Sequence, residues 1–220
     1  MPQAALFDMD GLMLDTEPLW TCSWEPALCA LGRANMPPGL PDEMRGAGPA
    51  ARQEVLDRHF GARTIDQAAL WERVCAHMLE VCRDGAPKKA GLIELLDHLR
   101  ERGVPRAVAS SSARPMIERQ LAAAGMDACF DVVLSGEEVV RGKPAPDVFL
   151  EAARRLGVAP ASSLVLEDSK NGVLAGAAGG FVTVLVPDLV APDDEMLSAA
   201  SFVCRDLLEV RRLLTSGIIR

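Results

Sequence analysis

The chain has 220 residues, 49% of them hydrophobic and 25% charged, which is ordinary globular material, enough for one large domain or one domain carrying a smaller insert. A formal net charge of −8 argues against nucleic acid as a partner and gives no reason to expect an anionic membrane surface. No stretch reaches the roughly 18 uninterrupted apolar residues of a membrane span, and the N-terminus lacks the basic segment and long apolar core of a signal peptide, so a cytoplasmic location is the expectation.

In chain order, residues 4–7 form a short apolar run, read as a buried strand, which drives straight into Asp8 and Asp10 with Gly11 behind them. From Glu17 to about Asp84 the character changes. Apolar residues fall at helical spacing over 19–31, 51–60 and 66–82, broken by PPGLP and GAGP, so residues 16–86 read as a small helical module without strands. Cys22/Cys29 and Cys75/Cys82 are each seven apart, one helix face, and no C-x-x-C occurs among the six cysteines. They read as small apolar residues packed between helices, with free thiols.

After Pro87 strands and helices alternate. Helices fit 90–102, 114–124, 146–156, 170–178 and 206–214, the first three stopping at Gly103, Gly125 and Gly157. Strands fit 104–109, 130–134, 164–166 and 181–186, with a short sixth at 202–203. Apolar strands alternating with helices imply a parallel sheet covered on both faces. The expected fold is therefore α/β: a doubly wound, Rossmann-like parallel-sheet core made of residues 1–15 and 87–220, with an inserted helical domain at 16–86.

In such sheets ligands bind beyond the carboxyl ends of the strands. Asp8 and Asp10 follow the first strand, Ser110, Ser111 and Ser112 the second, the loop Arg141-Gly142-Lys143-Pro144 the third, and Glu167-Asp168-Ser169 the fourth. The chain has 19 arginines and only four lysines, Lys88, Lys89, Lys143 and Lys170, so a lysine at such an edge carries more information than usual. Like carboxylates this close repel. A hard divalent cation such as Mg²⁺, which takes oxygen ligands and often a phosphate, would offset the repulsion among Asp8, Asp10 and Asp168. Lys143 adds a point charge for a phosphate, and Ser110 a hydrogen bond. Strand periodicity lets Asp8 and Asp10 face one ligand, and Gly11 relieves the turn behind them. One carboxylate can then attack phosphorus while the other shuttles a proton to the leaving alcohol and from the attacking water. Taken singly, each part has a plainer reading: the serines and Glu167-Asp168-Ser169 as helix caps, Lys143 as a solvated loop charge, D-M-D-G as a clipped calcium loop lacking its later ligands.

Taken together, DMDG at 8–11, Ser110 of VASSS, GKP at 142–144 and LEDS at 166–169 resemble the haloacid dehalogenase-like superfamily. GLMLDTEPLW resembles its branch of β-phosphoglucomutases and sugar-phosphate phosphatases, and the inserted module its small helical cap. The resemblance implies that Asp8 is the nucleophile forming an aspartyl-phosphate and that Asp10 is the general acid/base, with its main-chain carbonyl on Mg²⁺. It also implies that Ser110 and Lys143 hold the phosphoryl group, and that Asp168 binds Mg²⁺ with Glu167 ligating directly or through water. Gly11, Thr16, Trp20, Arg45, Ser111, Ser112, Arg114 and Asn171 are the candidate substrate-binding residues, Trp20 reading equally as packing in the cap and Arg114 as a solvated helix charge. Mutases of the branch carry a His where Trp20 stands and an Arg where Pro49 stands, so the expected activity is hydrolysis of a small phosphorylated sugar, polyol or nucleoside by a monomer. A phosphosugar mutase and a non-catalytic phosphate-binding relative are the alternatives. A phosphorylated receiver domain would be shorter and would lack both the insert and the second aspartate.

Overall fold

The computed structural model describes residues 1–44 and 49–219, with the backbone only at 49 and 50. Its contacts divide into two compact units, Met1–Asp15 with Gly85–Arg220, and Thr16–Asp84.

The larger unit holds one six-stranded sheet in the order β3-β2-β1-β4-β5-β6, every pairing parallel. Its strands are β1 (Ala5–Phe7), β2 (Arg106–Ser110), β3 (Val132–Ser135), β4 (Leu164–Glu167), β5 (Val182–Leu185) and β6 (Phe202–Val203). β1 lies between β2 and β4, and all three of its residues are buried, as expected of a central strand covered on both faces. On one face Leu6, Ala109 and Val165 pack with Val148, Phe149 and Ala152 of a single helix; on the other Phe7 meets Phe130 edge-on, centroids 5.8 Å apart. Chain order reverses beside β1, and in open α/β sheets that switch point is where ligands bind.

The smaller unit is helical among its described residues: α1 (Glu17–Ala30), α2 (Leu40–Met44), α3 (Pro49–Phe60) and α4 (Gln67–Val81). Its core gathers Trp24, Leu28, Leu40, Leu56, Leu70 and Val74, and Asp66 caps α4 by accepting from the amides of Ala68 and Ala69. The Arg52 guanidinium lies 3.7 Å from the Trp71 ring centroid. The packing expected of the cysteines fails in part: Cys82 is buried, but Cys22 and Cys29 are exposed. Seven-residue spacing puts two residues on one helix face without saying which face is covered.

The larger unit's helices are α5 (Leu92–Glu101), α6 (Arg114–Ala123), α7 (Asp147–Leu156), α8 (Lys170–Ala178), α9 (Asp194–Ala199) and α10 (Leu207–Thr215).

Candidate active site

Phe7 sits opposite Val108 on one side and Leu166 on the other, and the Asp8 amide donates to Leu166 O at 3.0 Å. The Asp8 carboxylate is thereby set where β4 gives way to Glu167 and Asp168. From the loop after β3, Lys143 Nζ donates to Asp8 Oδ1 at 2.5 Å, Glu167 Oε1 at 2.6 Å and Ala109 O at 3.0 Å. The side chains of Lys143, Asp8 and Glu167 are 5%, 10% and 0% exposed, so water screens this cluster little.

Glu167 is held from both ends. Its Oε2 accepts from the Asp168 amide at 3.0 Å, the Ser169 amide at 2.9 Å and Ser169 Oγ at 2.9 Å. Ser169 in turn caps α8, accepting from the Gly172 amide at 3.1 Å. Gly172 is required here because a side-chain carbon would overlap the Glu167 carboxylate.

Asp10 accepts from Ser112 Oγ at 2.8 Å, and the Ser112 amide donates to Ser110 Oγ at 3.0 Å. The second strand's serines thus reach the first strand's second aspartate. Gly11 has φ +84°, and a side chain there would run into Asp168 Oδ2, so the turn needs glycine for conformation and for space.

The charges are unbalanced. Burial pushes the Asp8 carboxyl up to about 8, with Lys143 opposing and Glu167 and Asp10 adding to the rise. Burial first, then Glu167 and Asp8, hold Asp168 well above the usual carboxylate range. Burial alone would depress the Lys143 ammonium, but Asp8 and Glu167 more than reverse that. Asp8, Glu167 and Asp168 each offer an oxygen within 4.8 Å of the others, and Asp168 Oδ1 is buried with no hydrogen-bond partner. An all-oxygen set with an orphaned buried carboxylate oxygen suits a hard cation such as Mg²⁺. Asp8, Glu167 and Asp168 could hold it, with both Glu167 oxygens already accepting from protein donors.

The remaining candidates are placed as follows. Ser110 is buried and Ser111 exposed. Arg114 donates to Val133 O at 2.6 Å, Glu138 Oε1 at 2.9 Å and Glu118 Oε1 at 3.1 Å. Asn171 is half-buried in the first turn of α8, and Thr16 is buried just before α1. Trp20 stacks on Trp71 with centroids 5.4 Å apart and rings 3° from parallel. Arg45 lies outside the described residues. Two residues passed over in the sequence stand at the same edge: Lys89 Nζ donates to Asp188 Oδ1 at 2.5 Å and lies 3.4 Å from Asp15 Oδ1. The scarcity of lysine was a signal for Lys89, and the position of Asp188 just beyond β5 was one for Asp188.

These parts define an α/β protein built around an acidic, cation-attracting centre at the carboxyl edge of a parallel sheet. The family profile of haloacid dehalogenase-like hydrolases matches residues 2–180. The chain is 32% identical over 214 residues to hexitol phosphatase B of Escherichia coli (strain K12), covering 94% of this chain and 93% of that one. It is 38% identical over 192 residues to a probable pseudouridine-5'-phosphatase of Drosophila melanogaster, covering 83% and 80%. It spans only 32% of a bifunctional riboflavin kinase/FMN phosphatase of Arabidopsis thaliana, at 43% identity over 122 residues. The crystal structure of CbbY from Rhodobacter sphaeroides in complex with phosphate superposes with a TM-score of 0.83 at 25% identity, covering 96% of each chain. The chain belongs to the haloacid dehalogenase-like hydrolases, in their phosphatase branch, and has that family's core and helical cap.

Proposed function

We propose that the protein is a Mg²⁺-dependent phosphatase that hydrolyses a small phosphorylated sugar, polyol or nucleoside through an aspartyl-phosphate on Asp8. The observation that carries this reading is the buried Asp8–Lys143–Glu167 contact beside the orphaned Asp168 oxygen.

When bound, Mg²⁺ supplies positive charge that keeps Asp8 ionised and neutralises the phosphate. The residues do the rest. Lys143 fixes Asp8 Oδ1, which aims the carboxylate for attack on phosphorus. All three Lys143 donors are engaged by protein acceptors, so in this arrangement Lys143 acts on the phosphoryl group as a charge. Ser110 Oγ already accepts from Ser112, leaving its own hydrogen for a phosphoryl oxygen. Asp10, oriented by Ser112 Oγ, protonates the leaving alkoxide and then takes a proton from the attacking water. Hexitol and pseudouridine phosphatases among the relatives support a hydroxyl-rich leaving group, and substrate choice is assigned to the cap.

The test is phosphate release from a panel of hexitol, sugar and nucleoside monophosphates with Mg²⁺ or EDTA. Mg²⁺-dependent release from one class is expected. Conversion of β-glucose 1-phosphate to glucose 6-phosphate without release would make the chain a mutase instead.

A further inference from the structure

Lys89 and Asp188 have no part in the chemistry above, yet they stand at its edge. Lys89 is brought there by backbone pairing: its amide donates to Met13 O at 2.9 Å, and the Asp15 amide donates to Pro87 O at 2.8 Å. Asp188 arrives from the other side, because the Val186 amide donates to Glu167 O at 2.7 Å and carries the chain past β4's end.

The pair is not an ordinary surface ion pair. Asp188 is 10% exposed, whereas Lys89's other partner, Asp15, is 41% exposed. Lys89 holds only Oδ1 of Asp188; Oδ2 is buried with no partner. That orphaned oxygen lies 3.4 Å from the point a Gly11 side-chain carbon would take, a point that Asp168 Oδ2 contacts as well. Asp168 Oδ1 is orphaned too. The Asp168 and Asp188 side chains therefore both approach Gly11, and each has a buried oxygen that lacks a donor, which is costly unless something positive or proton-bearing reaches it. Asp188 falls outside the compact Asp8–Glu167–Asp168 trio.

We propose that Asp188, clamped by Lys89, is a positioning residue for the cation, its Oδ2 accepting a hydrogen bond from the hydration shell of a cation ligated by Asp8 and Asp168. This rests on the metal reading in the preceding subsection. Outer partners of this kind tune metal affinity about 10- to 100-fold.

The test is Mg²⁺ binding to the metal-free protein by calorimetry, with Mn²⁺ paramagnetic resonance as a second probe. Asp188→Asn is expected to weaken Mg²⁺ binding about 10-fold and to raise the Mg²⁺ needed for half-maximal turnover by the same factor, with kcat at saturating Mg²⁺ within about twofold. Asp188→Glu, which keeps the charge but moves the oxygen, is expected to weaken binding too, and it serves if the first variant does not fold. Asp15→Asn removes Lys89's exposed partner and is expected to leave binding unchanged. Wild-type affinity in the Asp188 variants, or an equal loss in Asp15→Asn, overturns the inference and leaves the metal site standing. No Mg²⁺ binding by the wild-type protein overturns both.

Discussion

Removing the Lys143 ammonium is the perturbation whose size the structure fixes best. Lys143→Met keeps most of the aliphatic stem and deletes the ammonium that joins Asp8 and Glu167 and lies 4.7 Å from the Phe149 ring centroid. Breaking a buried pair by removing one partner costs roughly 3–5 kcal/mol, because the survivor stays buried and uncompensated. Glu167, wholly buried, keeps three donors on Oε2, and Asp8, raised to about 8, already holds a proton at neutral pH without metal, so the lower end applies: about 3 kcal/mol. For a chain of this length that is about 6–12 °C in Tm. All three tryptophans, Trp20, Trp24 and Trp71, lie in the helical unit, so their fluorescence does not report on the core. Far-UV circular dichroism in EDTA is the assay to use. Adding Glu167→Gln should recover about 1–2 kcal/mol of the loss. A loss under about 1 kcal/mol, or strict additivity in the double variant, would show that these charges are solvated and refute the reasoning.

Three further outcomes are expected. Gly172→Ala ought to stabilise a helix by ~1 kcal/mol on propensity alone, but the added carbon would overlap the Glu167 carboxylate, so a lowered Tm and lost turnover are expected; a neutral or stabilised variant would contradict the placement of Glu167. Burial raises Asp8 from 3.8 to about 8, so between those values the folded, metal-free protein binds the extra proton and wild-type stability falls as pH rises; melting curves of Asp8→Asn in EDTA should lose that slope and lie above wild type at pH 8. Asp10→Asn should slow turnover of alkyl phosphates about 10²- to 10⁴-fold and p-nitrophenyl phosphate far less, since that leaving group needs little protonation; equal losses on both would remove Asp10 as the acid.

The sheet was legible because its strands are buried on both faces and therefore appear as continuous apolar runs, such as Ala5–Phe7 and 164–166. The alternation with helices gave parallel pairing, and the strand-end rule brought Asp8, Ser110, Lys143 and Asp168 to one edge before any coordinates. What stayed hidden depends on long-range placement. The short helix α2 (Leu40–Met44) has too few residues and a proline too near its start to show a period. Spacing cannot say that Glu167 uses one oxygen for Lys143 and the other for its own turn. The same holds for Lys89 and Asp188, 99 residues apart in sequence, which meet only because residues 87–89 pair with 13–15 and β5 pairs with β4.

The most direct test of the central claim is chemical trapping of the intermediate. Wild-type protein turning over a hexitol or nucleoside monophosphate with Mg²⁺ would be quenched in acid, reduced with borohydride, and mapped by peptide mass spectrometry. Acyl phosphates are reduced to alcohols, so conversion of Asp8 to homoserine, dependent on substrate and absent from every other aspartate, is the predicted result. Rapid phosphate release with Asp8 unmodified at every quench time, or retained by Asp8→Asn, would contradict it.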